Sequence, residues 1–126
     1  MTAAALADVA ELAGSGDDFD RCLANFLDEF YASPSAQALV SEPRLLARDF
    51  GQLGRVQDAY LAATAEELAR QYNLPRPRWV DAETRKLHQP WFASPLAGLR
   101  AVLLLESPPR FRSRNLFVSE NALARR

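Results

Sequence analysis

Few side chains in this sequence are of types that do chemistry, and their spacing is poor for it. His88 is the one histidine, and Arg85 stands three positions before it. An arginine–histidine ribonuclease pair needs a longer spacer, so that both groups reach one phosphate from a helix end; His88 therefore reads as a loop or helix-end residue. Cys22 is the one cysteine. It forms no internal disulfide and cannot build a thiolate metal site alone, and its place between Phe19 and Phe26 marks it as a core residue. The acids Asp17, Asp18 and Asp20 lack the remainder of a calcium loop, and they read better as helix-start residues favoured by the macrodipole. No nucleophile elbow is present. Gly51 and Gly54 lack the strand–loop–helix context of a phosphate loop. The sequence thus predicts no catalytic set, no metal site and no cofactor.

Binding chemistry is better represented. Arg110, Phe111, Arg112, Ser113, Arg114 and Asn115 interleave guanidinium groups with an aromatic and with polar residues. Such a run can grip phosphates or an acidic protein surface around an aromatic anchor. It can equally pair with acids of its own chain. Trp79, Trp91 and Phe92 lie nearby in a proline-rich stretch, either as a core built under a loop or as an exposed interface.

The charge distribution leaves all three readings of the arginines open. The net charge is only −1 over 126 residues. Residues 1–72 nevertheless carry twelve acids against five arginines, and residues 73–126 carry ten basic residues against four acids. Lys86 is the one lysine. A composition 48% hydrophobic and 25% charged is that of an ordinary globular chain. The length fits one domain spanning 1–126, acidic over 1–72 and basic over 73–126. No basic leader precedes an apolar stretch, and the longest apolar run, Ala101 to Leu105, is far shorter than the ~20 residues a bilayer requires. A cytoplasmic location, away from membranes, is expected, in keeping with the single thiol.

The elements that must position these residues are helical. Leu6, Val9, Ala10 and Ala13 mark a short helix over 3–13. Phe19, Leu23, Phe26, Leu27 and Phe30 mark a second, capped by Asp17 or Asp18 and running to Ala32. A helical turn is expected over 35–40 and another from Pro43 to Asp49, with Gly51 and Gly54 loosening the chain. The longest helix is expected from Gln52 to Tyr72, its inward stripe Leu53, Val56, Tyr60, Ala63 or Thr64, and Leu68, with Glu66 and Arg70 paired outside. Pro75 and Pro77 break it. Asp81 should cap a turn through Leu87. Pro95 to Glu106, apolar nearly all round, is expected to be a central buried helix. Leu116 to Val118 suits a short strand or docking segment, and a last helical turn should begin at Ser119. The expected fold is all-α: a compact single-domain helical bundle with a proline-rich central loop and a short extended segment near the C-terminus.

A longer pattern runs through the second half. It comprises Asp58-Ala59-Tyr60-Leu61-Ala62-Ala63, Leu74-Pro75-Arg76-Pro77-Arg78-Trp79-Val80, Pro90-Trp91-Phe92, Leu99-Arg100-Ala101, Glu106 through Asn115, Phe117-Val118-Ser119 and Asn121-Ala122-Leu123. Over residues 55–126 it resembles a group of small bacterial proteins encoded beside nucleotidyltransferase-like toxins and thought to act as their antitoxins. The resemblance implies a non-enzymatic protein that neutralises such a partner by direct contact. Arg110, Arg112, Arg114 and Asn115 would then face the partner's acidic cleft, with Phe111, Trp91 and Phe92 as anchors. Some related proteins carry a DNA-binding helix-turn-helix in front; the acidic residues 1–54 carry none that can be recognised. The alternative is a nucleic-acid-binding adaptor that uses the basic half, and a homodimer is compatible with either reading.

Overall fold

The computed structural model describes residues 4–93, 103 and 106–125. Helix α1, Leu6–Gly14, packs on α2, Phe19–Ala32. Asp18 rather than Asp17 caps α2, its carboxylate accepting the Arg21 amide at 2.8 Å. The apolar stripe read from the sequence is the buried one: Cys22, Leu23, Phe26, Leu27 and Phe30 face the core, and Phe19 packs partly against it. A single turn, α3, covers Gln37–Val40.

Helix α4, Ala47–Gln71, organises the molecule, and α1, two 3-10 turns and residues 109–112 and 116–117 pack against it. Its first turn, Ala47–Phe50, is set apart by Gly51, where φ is +58°, a conformation that costs glycine little. No helix forms at 43–45, where one was expected. The chain instead folds its start back onto α4 at Gly54. A Cβ on Gly54 would sit 2.2 Å from the Leu46 carbonyl oxygen, so this glycine permits close packing rather than loosening the chain. One turn further on, at the same face, the Asp58 carboxylate accepts the amides of Leu46 at 2.7 Å and Ala47 at 3.1 Å. These are amides at the head of α4 that would otherwise be orphaned.

Arg85 closes the arrangement from the other side. It is fully buried, donates to the carbonyl oxygens of Asp58 and Pro43 and to Glu42, and lies 4.9 Å over the Trp79 ring. Its Nη1 is 3.7 Å from Asp58 Oδ1. Burial pulls the Arg85 guanidinium down from its ordinary value and pushes the Asp58 carboxyl up, against the amides and cations that favour its charged form. Trp79 itself is buried, and its indole donates to the Leu39 carbonyl oxygen at 3.0 Å. It is core under a loop, the first of the two alternatives left open for the tryptophans.

The 3-10 turns are Arg78–Asp81 and Glu83–Arg85. Asp81 ends the first instead of capping a turn, and its carboxylate is held by Arg76. Two-residue strands β1, Trp91–Phe92, and β2, Leu116–Phe117, pair in parallel, Trp91 opposite Leu116. Between them, one turn of helix, α5, spans Pro109–Arg112. After β2, where a last helical turn was expected, the chain forms hydrogen-bonded turns, Ala122 to Ser119 and Ala124 to Asn121. The helix expected over 95–106 falls outside the described residues except for Leu103, which is helical and buried, and Glu106, also helical. Among the described helices the central buried one is α4, where Ala59, Leu61, Ala62, Ala63, Ala65 and Leu68 are all fully covered. The fold is predominantly helical, as expected, and one apolar cluster draws on both halves from Leu6 to Leu123. No described helix is long and apolar enough to cross a membrane.

Gly54→Ala should therefore lower the unfolding free energy by about 1–3 kcal/mol through overpacking against Leu46. Asp58→Ala should lower it by about 3–5 kcal/mol, because Arg85 is left buried without its partner. The exposed Gln52→Ala serves as control, expected to stay within about 0.5 kcal/mol. Urea denaturation followed by circular dichroism measures all three.

Candidate functional site

The arginine segment is built into the fold more than it is displayed. Arg114 is 2% exposed. Its guanidinium donates to Glu66 at 2.7 Å, to the Arg110 carbonyl oxygen at 2.7 Å and to the Val80 carbonyl oxygen at 3.0 Å. Phe111 is fully buried, its ring edge-on to Tyr60 at 5.0 Å. Asn115 adopts a left-handed conformation, φ +62°, and spends its side-chain amide on the Leu87 carbonyl oxygen at 2.7 Å. Its own carbonyl oxygen receives the Trp91 amide at 2.8 Å. Phe92 is half-buried and stacks on Phe117 with centroids 5.0 Å apart. Arg110 is partly exposed, 3.9 Å from Glu67. Arg112 is exposed, and Trp91 is 36% exposed.

The sequence expectation thus divides. Phe111 and Arg114 are buried and the Asn115 side-chain amide is spent on Leu87, so these three position the segment. Arg110, Arg112 and Trp91 keep accessible surface. Glu66, expected to pair with Arg70, takes Arg114 and Arg76 instead, while Arg70 pairs with Glu67. Further links between the acidic and basic halves are Arg85 to Glu42 and Arg125 to Asp28. Internal pairing, one of the three readings of the arginines, accounts for much of the charge split.

The accessible apolar surface lies elsewhere. A groove of about 770 Å³ runs between α2 and the first half of α4, with Trp91 and the chain after β2 at its end. Its geometry follows from where the two helices are tied. At their C-terminal ends Phe30 meets Tyr72 edge-on at 5.3 Å, and the Tyr31 hydroxyl donates to the Leu123 carbonyl oxygen at 2.9 Å. Asp17, Asp18 and Asp20 at the start of α2 border the groove beside Phe50 and Leu53. Leu53, Val56, Gln57 and Tyr60 line it, the i, i+3, i+4, i+7 face of one helix. The stripe expected to point inward is therefore present, but its first turn is left uncovered. Leu53 is 59% exposed and Phe50 is 40% exposed.

The polar groups of this groove are distinctive. Asp18 is used as the α2 cap and Asp17 is paired with Arg21. Asp20, exposed on the same rim, makes no hydrogen bond or ion pair among the described residues. Gln57 Oε1 is shut off from solvent without a hydrogen-bond partner among them. Burial, and next the charge of Asp20, push the Tyr60 phenol up to about 12, so that it keeps its proton at neutral pH. The exposure of Phe50 and Leu53 was not legible in the sequence, because it depends on what packs against them in three dimensions.

Among the described residues no group of three or more His, Cys, Asp or Glu side chains is arranged to hold a metal. Compared with family models, curated proteins and solved structures, the chain gives no match.

The arginines of the segment should respond unequally to substitution. Arg114→Met strips Glu66 of a buried partner and is expected to cost about 3 kcal/mol of stability, whereas Arg112→Ala should stay within about 0.5 kcal/mol. Equal thermal shifts for the two would contradict the burial of Arg114. A pH effect follows as well. Burial raises the Glu66 carboxyl, but hydrogen bonds from Arg114 and Arg76 outweigh it and hold the group below its ordinary 4.5. Its stabilisation is complete above that value and is lost as pH falls through the lowered folded value. Melting temperature should fall below about pH 4.5, and Glu66→Gln should flatten that fall.

Proposed function

We propose that the protein is a non-enzymatic binding protein that acts in an antitoxin-like manner, holding a nucleotidyltransferase-type enzyme by direct contact. The groove between α2 and α4 receives a segment of that partner. The observation that carries this reading is the alignment of Phe50, Leu53 and Trp91, three large apolar side chains with substantial exposure, along one groove. Exposed aromatic and aliphatic side chains gathered in a concave site are what a desolvated protein interface uses as anchors.

The resemblance over residues 55–126 supports the choice of partner, and the groove gives that stretch a physical task. Phe111 backs Tyr60 from behind the groove wall. Asn115 and β2 hold Trp91 in place, and Val118, Ser119 and Ala122 close the end. The motif thus works mainly by shaping the docking surface, while Arg110 and Arg112 keep accessible surface. The adaptor alternative has less to draw on, since Arg76, Arg85, Arg114 and Arg125 are engaged by acids of the same chain, and an acidic rim repels phosphate.

Co-expression with the product of the neighbouring gene tests the proposal. Phe50→Glu combined with Leu53→Glu changes two exposed residues and should leave the fold intact. It is expected to weaken co-purification at least about tenfold and to abolish protection from growth arrest, and Trp91→Ala should cost about 2 kcal/mol of binding. Undiminished complex formation by the double-glutamate variant would remove the groove from the mechanism. Failure of the unaltered protein to bind the neighbouring product would remove the antitoxin reading.

A further inference from the structure

The groove is amphipathic in a way that specifies its occupant. Its length is apolar, from Leu23 and Leu27 on α2 to Leu53 and Val56 on α4 and on to Trp91. Its open end is acidic. Of the three aspartates there, Asp17 and Asp18 are already committed, to Arg21 and to the α2 cap respectively, which leaves Asp20 as the rim carboxylate without a partner among the described residues. The cation of the lining and that of the first turn of α2 are engaged elsewhere: Arg125 is held by Asp28 and Arg21 by Asp17.

Accepting the reading that the groove docks a partner protein, we propose that the docked element is an amphipathic helical segment carrying one Lys or Arg side chain among apolar anchors. The cation pairs with Asp20 at the rim. The apolar side chains lie against Leu53, Val56 and Trp91. Helix-in-groove docking supplies such anchors at i, i+3 or i+4, and i+7, a spacing complementary to the Leu53–Val56–Gln57–Tyr60 face. The single charge supplies orientation, because the groove is acidic at one end only. A phosphate-bearing ligand meets repulsion at that end. The partner's segment is thereby distinguished from any purely apolar helix and from an acidic one.

Three fluorescein-labelled peptides of about sixteen residues, long enough to hold a helix, test this. They share an apolar face of Leu and a polar face of Gln, and differ at one central position: Arg, Gln or Glu. Fluorescence anisotropy is read with the full chain and with Asp20→Asn, Asp20→Lys and Leu53→Glu, all at exposed positions whose folding is checked by circular dichroism. The Arg peptide should bind the unaltered protein roughly tenfold more tightly than the Glu peptide, combining one exposed attraction with one repulsion. Asp20→Asn should erase the preference, Asp20→Lys should reverse it, and Leu53→Glu should weaken all three. Equal binding of the three peptides, still lost in Leu53→Glu, would overturn the cation and leave groove docking standing. No binding by any peptide would overturn the inference. If capture of the neighbouring gene's product were also indifferent to Leu53→Glu, the groove itself would fall. Concentration-dependent self-association lost in Leu53→Glu, with no peptide bound, would assign the groove to a second copy instead.

Discussion

The buried contact between Arg85 and Asp58 is the constraint on which the rest of the molecule depends. Neither group is cheap to bury, and each is held by more than the other. Asp58 binds the amides at the head of α4, while Arg85 gathers the carbonyl oxygens of Asp58 and Pro43 and lies against Trp79. Three stretches distant in sequence are thereby fixed to one point: the loop at 42–47, the middle of α4 and the 3-10 turns. Hydrophobic burial alone would not choose among registers of an alanine-rich helix. A charge that must find its acceptors does choose, and α4 is held at one depth and one rotation. Leu53, Val56, Gln57 and Tyr60 then face the groove because Gly54 and Asp58 face the loop.

A second buried arginine extends the same logic to the C-terminal part. Arg114 binds Glu66 two turns along α4 and reaches back to Val80 and Arg110. The opposing charges of the two halves are thus largely an internal matter, met by contacts that cross from one half to the other. What remains unpaired is more telling than the overall imbalance. Asp20 at the mouth of the groove is a local feature, and net charge gives no hint of it.

The sequence was a good guide to helices and a poor one to exposure. Periodicity located α2 and the main part of α4, since amphipathic spacing is a property of a single element. It also identified the Leu53–Val56–Tyr60 stripe, but whether a stripe is covered depends on what packs over it, which no single element encodes. Gly54 was misread for a related reason. Gly54 looks like a breaker in one dimension and is a contact point in three. The arginine run was visible as a unit, yet its members part company: Arg112 looks outward and Arg114 inward, because a guanidinium with three acceptors in place is stable in the interior. Arg85 passed as the neighbour of a histidine, and no local pattern distinguishes a buried arginine from an exposed one.

The buried set has an evolutionary corollary. Gly54, Asp58, Glu66, Arg85 and Arg114 constrain one another through backbone approach and shared hydrogen bonds, so a change at one strands the others. Lysine cannot replace either arginine, since a single ammonium does not span acceptors arranged around a planar fork. Exposed positions away from the groove are under no such restraint and are free to drift. A distant relative would then be recognised less by overall identity than by this sparse fingerprint: glycine and aspartate one helical turn apart, a glutamate two turns on, and two arginines far downstream.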